Sequence, residues 1–389
     1  MTNFLIKKFI KDPDNITDSA VRGKYGYLSG FVGIGVNVLL CLAKIFVGSL
    51  THSIAITADA VHNLSDAGSS AVTVFGFKMA SRPADSKHPF GHGRVEYVTA
   101  MIVSFIILFM GGELAIESVD KIKNPVDVNF SLVGAIIIAV SILFKIWLAV
   151  FNRSLGKKIN SPAMQAVVVD SISDSVATGI TLISLILSAF FPKLHIDGWA
   201  GIVVACFVIK AGFDVFKDTL GSLIGEPPTK ETVDEIIKLI ESYDYVTGTH
   251  DLMLHNYGPE KFFGSIHVEM PSNLDVMTAH DIIDNIENDI KTSLGIQMTV
   301  HYDPIQVNDE RVNQLRDITL YALSQIDETL TIHDFRVVDG PTHTNLIFDI
   351  VAPHKFDKSS AELSQDLSAL LSNDSEKYFC VIKVEHSFV

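Results

Sequence analysis

Cysteine is scarce. Cys41, Cys206 and Cys380 lie far apart with no C-x-x-C pair, which excludes a disulfide framework and a zinc knuckle. Basic side chains are scarce in the second half, where residues 227–389 hold 28 Asp or Glu against 11 Lys or Arg. A surface that acidic offers phosphate no basic face, so nucleic acid is excluded as a partner and cations are the natural ligands. No phosphate-cradling loop and no nucleophile and base pair is present, so neither an enzyme nor a resident prosthetic group is expected. No small-residue cleavage signature follows the first apolar run. The stretch Met1 to Tyr27, with Lys7, Lys8, Lys11, Arg22 and Lys24, therefore reads as a retained cytoplasmic tail.

What the chain has in excess is apolar length. Its 389 residues are 48% hydrophobic and 19% charged, with a mean hydropathy of +0.33, which points to a bilayer as solvent. Six windows are long enough to span it: 28–50, 53–78, 96–120, 130–151, 163–191 and 199–220. Six spans put both ends on one side. Twelve basic residues flank that side, in the tail, in 78–94 and in 153–158, against Lys121, Lys123 and Lys193 on the other. By the positive-inside rule both termini and the acidic half face the cytoplasm, as in a multi-pass plasma-membrane protein.

Inside a span each charge asks for a reason, since one at the centre costs about 2.5–3.5 kcal/mol on insertion scales. The second span carries His62 and Asp66, the fifth Asp170 and Asp174. Four residues apart on a helix means one face, about 6 Å along the axis, a spacing that suits two ligands of one ion. Two such pairs in one bundle form a four-ligand site for a divalent cation, with the carboxylates offsetting its charge. Asp59, one turn earlier, is read as a vestibule or helix-end residue. Lys44 and Lys145 are read as close enough to their helix ends to snorkel. Between the second and third spans, the Pro- and Gly-rich loop 81–94 offers Asp85, His88 and His92 as a candidate peripheral metal site.

The six spans, the paired ligands on the second and fifth, the loop His88-Pro89-Phe90-Gly91-His92-Gly93-Arg94 and the acidic C-terminal half together resemble the cation diffusion facilitator family of metal/proton antiporters. The resemblance covers about 20–305 and implies a homodimer, a transport site of His62, Asp66, Asp170 and Asp174, and a cytoplasmic domain of ferredoxin-like type. It implies efflux of a divalent metal with protons competing for the same four side chains. Three carboxylates suit Mn²⁺, and the stretch Asn-Leu-Ser-Asp-Ala-Gly-Ser-Ser resembles the manganese-exporting bacterial branch. The imidazole of His62 keeps Zn²⁺, Fe²⁺ or Co²⁺ open. Arg94 matches a basic residue at the family's dimer contact, with Glu226 as candidate partner. A membrane-anchored metal sensor is the rival from another class.

After Gly225-Glu226-Pro227-Pro228 the periodicities give helix 231–243, strands 248–256 and 262–270, helix 276–293 and strand 297–303. This is the αββαβ order of the ferredoxin-like domain that the resemblance implies. On that resemblance His250, His267, His280, His301 and Asp303 form a cytoplasmic regulatory metal site at a dimer interface. The order then repeats: helix 310–326, the stretches 333–340 and 346–353 in parallel with the first two strands, helix 358–372 and strand 378–386. In the copy His333 is kept, Asp349 stands in place of His267, and the register of Glu385 and His386 stays open, so a packing or dimerisation role with at most a degenerate metal site is expected. The expected fold is thus an α-helical polytopic membrane protein of six transmembrane helices with a cytoplasmic α+β ferredoxin-like domain duplicated in tandem. Its parts are the tail 1–27, the membrane domain 28–224, the ferredoxin-like domain 225–305 and the repeat 306–389.

Overall fold

A computed structural model describes residues 2–386 apart from 17, 52–53, 125–131, 191–196, 260, 307–308, 341, 354–355 and 373–376. Lys193 and the side chains of Asp59 and His386 fall outside the described residues. The chain divides into two compact units, Met1–Glu226 with Asn256–Lys261, and Pro227–His255 with Phe262–Val389.

The first unit is helical: a short α1 (Thr2–Phe9), then α2 (Ser19–Thr51), α3 (Ile54–Ala80), α4 (Val95–Lys123), α5 (Leu132–Lys158), α6 (Pro162–Phe190) and α7 (Asp197–Ile224). Among the described residues, five of these, α2, α4, α5, α6 and α7, are long and apolar enough to cross a membrane. The sixth long helix, α3, falls short in composition because its middle reads His62-Asn63-Leu64-Ser65-Asp66. The burial pattern is the inverse of a water-soluble protein. Phe46, Phe109 and Leu143 point outward, while Lys44, Asp66, Lys145, Asp170 and Asp174 are buried. Polar groups turned inward and apolar groups outward are what a lipid solvent selects. Helices pack as α2 on α3, α4 on α7 and α5 on α6. At the α2–α3 contact a Cβ on Gly26 would sit 1.9 Å from the ring of Phe77, so only glycine lets the two backbones approach this closely.

The second unit holds two three-stranded sheets. Elements α8 (Lys230–Ile240), β1 (Gly248–Asn256), β2 (Phe262–Pro271), α9 (Val276–Leu294) and β3 (Gln297–Ile305) make the first, in strand order β1-β2-β3. Elements α10 (Glu310–Ser324), β4 (Thr331–Asp339), β5 (Thr344–Ala352), α11 (Ser360–Leu371) and β6 (Tyr378–His386) make the second, in order β4-β5-β6. In each, the central strand pairs parallel with the last. The period of two puts Ile266, Val268 and Met270 of β2 into one core and Leu346, Phe348 and Ile350 of β5 into the other. His267 and Asp349 alternate with these and stand on the opposite faces of their sheets. Helix starts are fixed by Asp275, Asp309 and the Ser359–Glu362 capping box.

Candidate metal centre

In the helical unit α3 and α6 bring three of the four expected ligands together. His62 Nε2 lies 3.4 Å from Asp174 Oδ1, and ligand atoms of His62, Asp66 and Asp174 all lie within 4.8 Å of one another. Asp170, one turn before Asp174, is buried and stands outside that triad. It lines the same cavity of ≈490 Å³ as His62 and Asp174. The Oδ1 of Asp66 and the Oγ of Ser173 are buried without a hydrogen-bond partner, as oxygens set around a cation would be. From the triad the cavity runs along Glu113, Glu117 and Lys121 of α4 and Thr181 of α6, toward the bundle end remote from loop 81–94. The other end is filled by Tyr25, Phe77, Phe151, Leu155, Ile159 and Met164. There Arg22, buried against Glu96 at 3.3 Å, also donates to the carbonyl of Ile159, and Ser29 donates to Asn152 at 2.8 Å.

Sequence reasoning misplaced the lysines of the bundle, Lys145 above all. Lys145 does not snorkel: it is only 5% exposed, and its ammonium donates to Asp66 Oδ2 at 2.6 Å and to Asp174 Oδ2 at 2.8 Å. The reason is helix length. With α5 running on to Lys158, Lys145 is the central residue of 27, too deep to reach either surface. Lys44 is buried as well. The available signal was the pairing rule, that a mid-span ammonium sits beside a carboxylate.

The loop residues also meet. Asp85 Oδ1 accepts from the backbone N–H groups of Lys87 and His88 at 2.9 and 2.7 Å, and these bonds, His88 first, hold its carboxyl below the ordinary range. Its oxygens lie 3.4 Å from His88 Nδ1 and 3.6 Å from His92 Nε2. His92 Nδ1 is bonded to the carbonyl of Pro83 at 3.1 Å, which turns the Nε2 lone pair toward Asp85 in the manner of a metal-ligating imidazole. Arg94 is not with Glu226. It donates to the carbonyl of Asn256, at 2.7 Å from Nη2, and lies over the ring of Tyr257, while Glu226 accepts from Ser222.

In the sheet unit, His250 Nε2 and His267 Nδ1 lie 3.0 and 2.8 Å from Asp303 Oδ2. His301 joins from the next strand position but one, 3.3 Å from Asp303 Oδ1. His280 does not join: on α9 it is exposed and faces Asp284. Its helical neighbours set its direction, since α9 buries Ala279, Ile286 and Ile290. Burial lowers the pKa of His250 and of His333, favouring the neutral imidazole, the form that binds metal.

These arrangements have counterparts. Residues 30–224 match the cation efflux transmembrane domain and residues 228–305 the cytoplasmic domain of cation efflux proteins. The chain is similar to the transporter MJ0449 of Methanocaldococcus jannaschii, with 32% identity over 69% of this chain and 94% of that one. It resembles the manganese efflux system protein MneS of Bacillus subtilis, 27% identical over 74% and 98%, and the cation-efflux pump FieF of Citrobacter koseri, 29% identical over 73% and 95%. A His and Asp cluster with buried carboxylates in a multi-pass helical bundle, joined to a cytoplasmic α/β domain, fits that group, whose members are transporters and not enzymes; the chain belongs to the cation efflux, or cation diffusion facilitator, family.

Proposed function

We propose that this divalent-cation efflux transporter exports Mn²⁺ from the cytoplasm in exchange for protons, by alternating access of the site formed by His62, Asp66, Asp170 and Asp174. The observation that carries the reading is the asymmetry around that site. A cavity leads from it to one end of the bundle, and packed side chains close the other. With the basic flanks on the cytoplasmic side, this is an outward-open state. In it Lys145 neutralises Asp66 and Asp174, and a cation arriving from the cytoplasm has to displace its ammonium.

Protons and metal compete for the same lone pairs, so coupling needs no further machinery. Three carboxylates with one imidazole favour Mn²⁺, and a relative is named for manganese efflux. Zn²⁺, Fe²⁺ or Co²⁺ export by the same cycle is the second reading, favoured by His62. A membrane-anchored sensor would leave the four intramembrane ligands without a use.

The arrangement we propose is a plasma-membrane homodimer with both termini cytoplasmic. In it α3 is the sixth span beside the five apolar ones, 1–27 is the tail, 28–224 the membrane domain, 225–305 a ferredoxin-like module and 306–389 its tandem duplicate. The loop triad Asp85, His88 and His92 and the cluster His250, His267, His301 and Asp303 are accessory metal sites, the latter regulatory. His280 belongs to that regulatory set only through a contact outside the single chain.

Proteoliposomes loaded with a Mn²⁺ indicator and energised by a pH step test the proposal. Metal flux should follow the pH gradient and vanish in Asp174→Ala. Flux indifferent to the gradient would remove the antiport, and flux of Zn²⁺ without Mn²⁺ would remove the choice of metal.

A further inference from the structure

The second sheet carries a ligand set of its own. Register decides it. On β2 and β3 the facing pairs are His267 with His301 and Glu269 with Asp303. On β5 and β6 they are Asp349 with Lys383 and Val351 with Glu385. Glu385 therefore occupies the place of Asp303, Asp349 that of His267, and Lys383 that of His301. The histidine strands agree: Asp251 and Asp334, each one residue after its histidine, both adopt a left-handed φ of 52°. In β4 the pairing slips at this point, between His333 and Arg336. Such an irregularity re-aims a side chain, and the left-handed residue that follows is common to both histidines.

The outcome is a second cluster. Ligand atoms of His333, Asp349 and Glu385 lie within 4.8 Å of one another, with His333 Nε2 at 3.6 Å from Glu385 Oε2. The two clusters are contiguous. The rings of His250 and His333 stack at 3.9 Å between centroids, and His250, Asp251 and His333 form a further set within 4.8 Å. Each of these two histidine side chains is 8% exposed, and none of their four ring nitrogens has a hydrogen-bond partner of acceptable geometry. The 3.0 Å approach of His250 to Asp303 is a matter of distance and not of alignment. Buried imidazoles whose lone pairs address no donor, each beside carboxylates, are ligands arranged around something other than each other. The sheets are also tied directly, by the N–H of Asp334 donating to Glu269 at 3.3 Å.

We propose that His333, Asp349 and Glu385 form a second divalent-metal site, and that with His250, His267 and Asp303 they make a two-ion cluster that fastens the two sheet modules of one chain together. One imidazole and two carboxylates suit Mn²⁺ or Fe²⁺ better than the two imidazoles and one carboxylate of the first cluster, which suit Zn²⁺. Lys383, paired with Glu385 where His301 stands in the first sheet, leaves the new site three protein ligands and an adjacent positive charge. It is the weaker of the two. The inference goes beyond the expectation of a degenerate copy and does not depend on the transport reading.

The test is Mn²⁺ equilibrium dialysis on the detergent-solubilised full chain, with thermal melting as second readout. Asp349→Asn and Glu385→Gln, both close in shape to the native side chains, should each bind one Mn²⁺ per chain fewer than the native protein and lose part of the Mn²⁺-induced rise in melting temperature. Glu385→Asp should recover the ion. His267→Ala should remove a different ion, additively with Asp349→Asn. Native stoichiometry in both Asp349→Asn and Glu385→Gln would overturn the second site. An unchanged stoichiometry in His267→Ala alone would overturn the two-ion cluster.

Discussion

The ammonium of Lys145 lies 2.6 Å from Asp66 Oδ2 in the interior of the helical unit, and the same nitrogen reaches Asp174 at 2.8 Å. A fixed cation thus balances two carboxylates of the proposed transport site. Removing one partner of a buried pair costs about 3–5 kcal/mol, because the remaining charge is stranded. Lys145→Met should therefore melt well below the native protein in metal-free buffer. It should regain more stability from Mn²⁺ than the native protein does, since the ion then supplies the missing charge. Affinity should rise by roughly tenfold, about 1.4 kcal/mol, while flux falls because release is slowed. Equal Mn²⁺-induced shifts in melting temperature for the two proteins would remove Lys145 from the site.

Much of this site was legible in sequence because expense in a membrane is so uneven. His62, Asp66, Asp170 and Asp174 stood out against apolar spans, and four-residue spacing placed each pair on one face. Lys145 did not, since ending its span at 151 put it near a surface that α5, running to Lys158, does not reach there. Strands β1 and β6 were readable to the residue from alternation. Yet alternation within β6 cannot say which residue of β5 lies opposite, and that pairing alone makes Glu385 a counterpart of Asp303. His280 shared the type and acidic surroundings of the other histidines. Only the rotation of α9 about its axis separates it from them.

The single imidazole of the membrane site should set its metal preference. His62→Asn replaces a borderline nitrogen donor by an oxygen donor and leaves three carboxylates, so flux of Zn²⁺ should drop relative to Mn²⁺ by roughly tenfold. Competition flux with both metals present measures the ratio directly. A ratio unmoved by the substitution would show that selectivity resides elsewhere.

In loop 81–94 the bond from His92 to Pro83 and the turn bonds to Asp85 set three ligand atoms together before any ion arrives. If the triad gathers cations for the bundle, His92→Ala should reduce flux at limiting metal by roughly tenfold and leave flux at saturating metal unchanged. His88→Ala should behave alike. Native flux at limiting metal in both variants would reduce the triad to a turn that Asp85 organises.

Closure of the bundle at the end opposite the cavity rests on Arg22, which joins α2 to Glu96 of α4 and to the carbonyl of Ile159 after α5. The alternating access proposed above requires these contacts to part when the site opens to the cytoplasm. Glu96→Gln keeps the shape of the side chain and removes its charge, so it weakens the closed end selectively and should shift the population toward the inward-open state. A hydrogen bond to a charged group is worth about 1.5–3 kcal/mol, enough to change that population by roughly tenfold or more. In a background lacking Cys41, Cys206 and Cys380, Met164→Cys lies in the packed core at that end. An impermeant maleimide applied from the cytoplasmic side should label it about tenfold faster in Glu96→Gln than in the parent, with Mn²⁺ altering both rates. Faster labelling accompanied by an equal fall in melting temperature would signal loosening of the whole bundle, so the comparison is made at a temperature well below both transitions. Identical labelling rates there would mean that the Arg22 and Glu96 pair holds the fold and takes no part in gating.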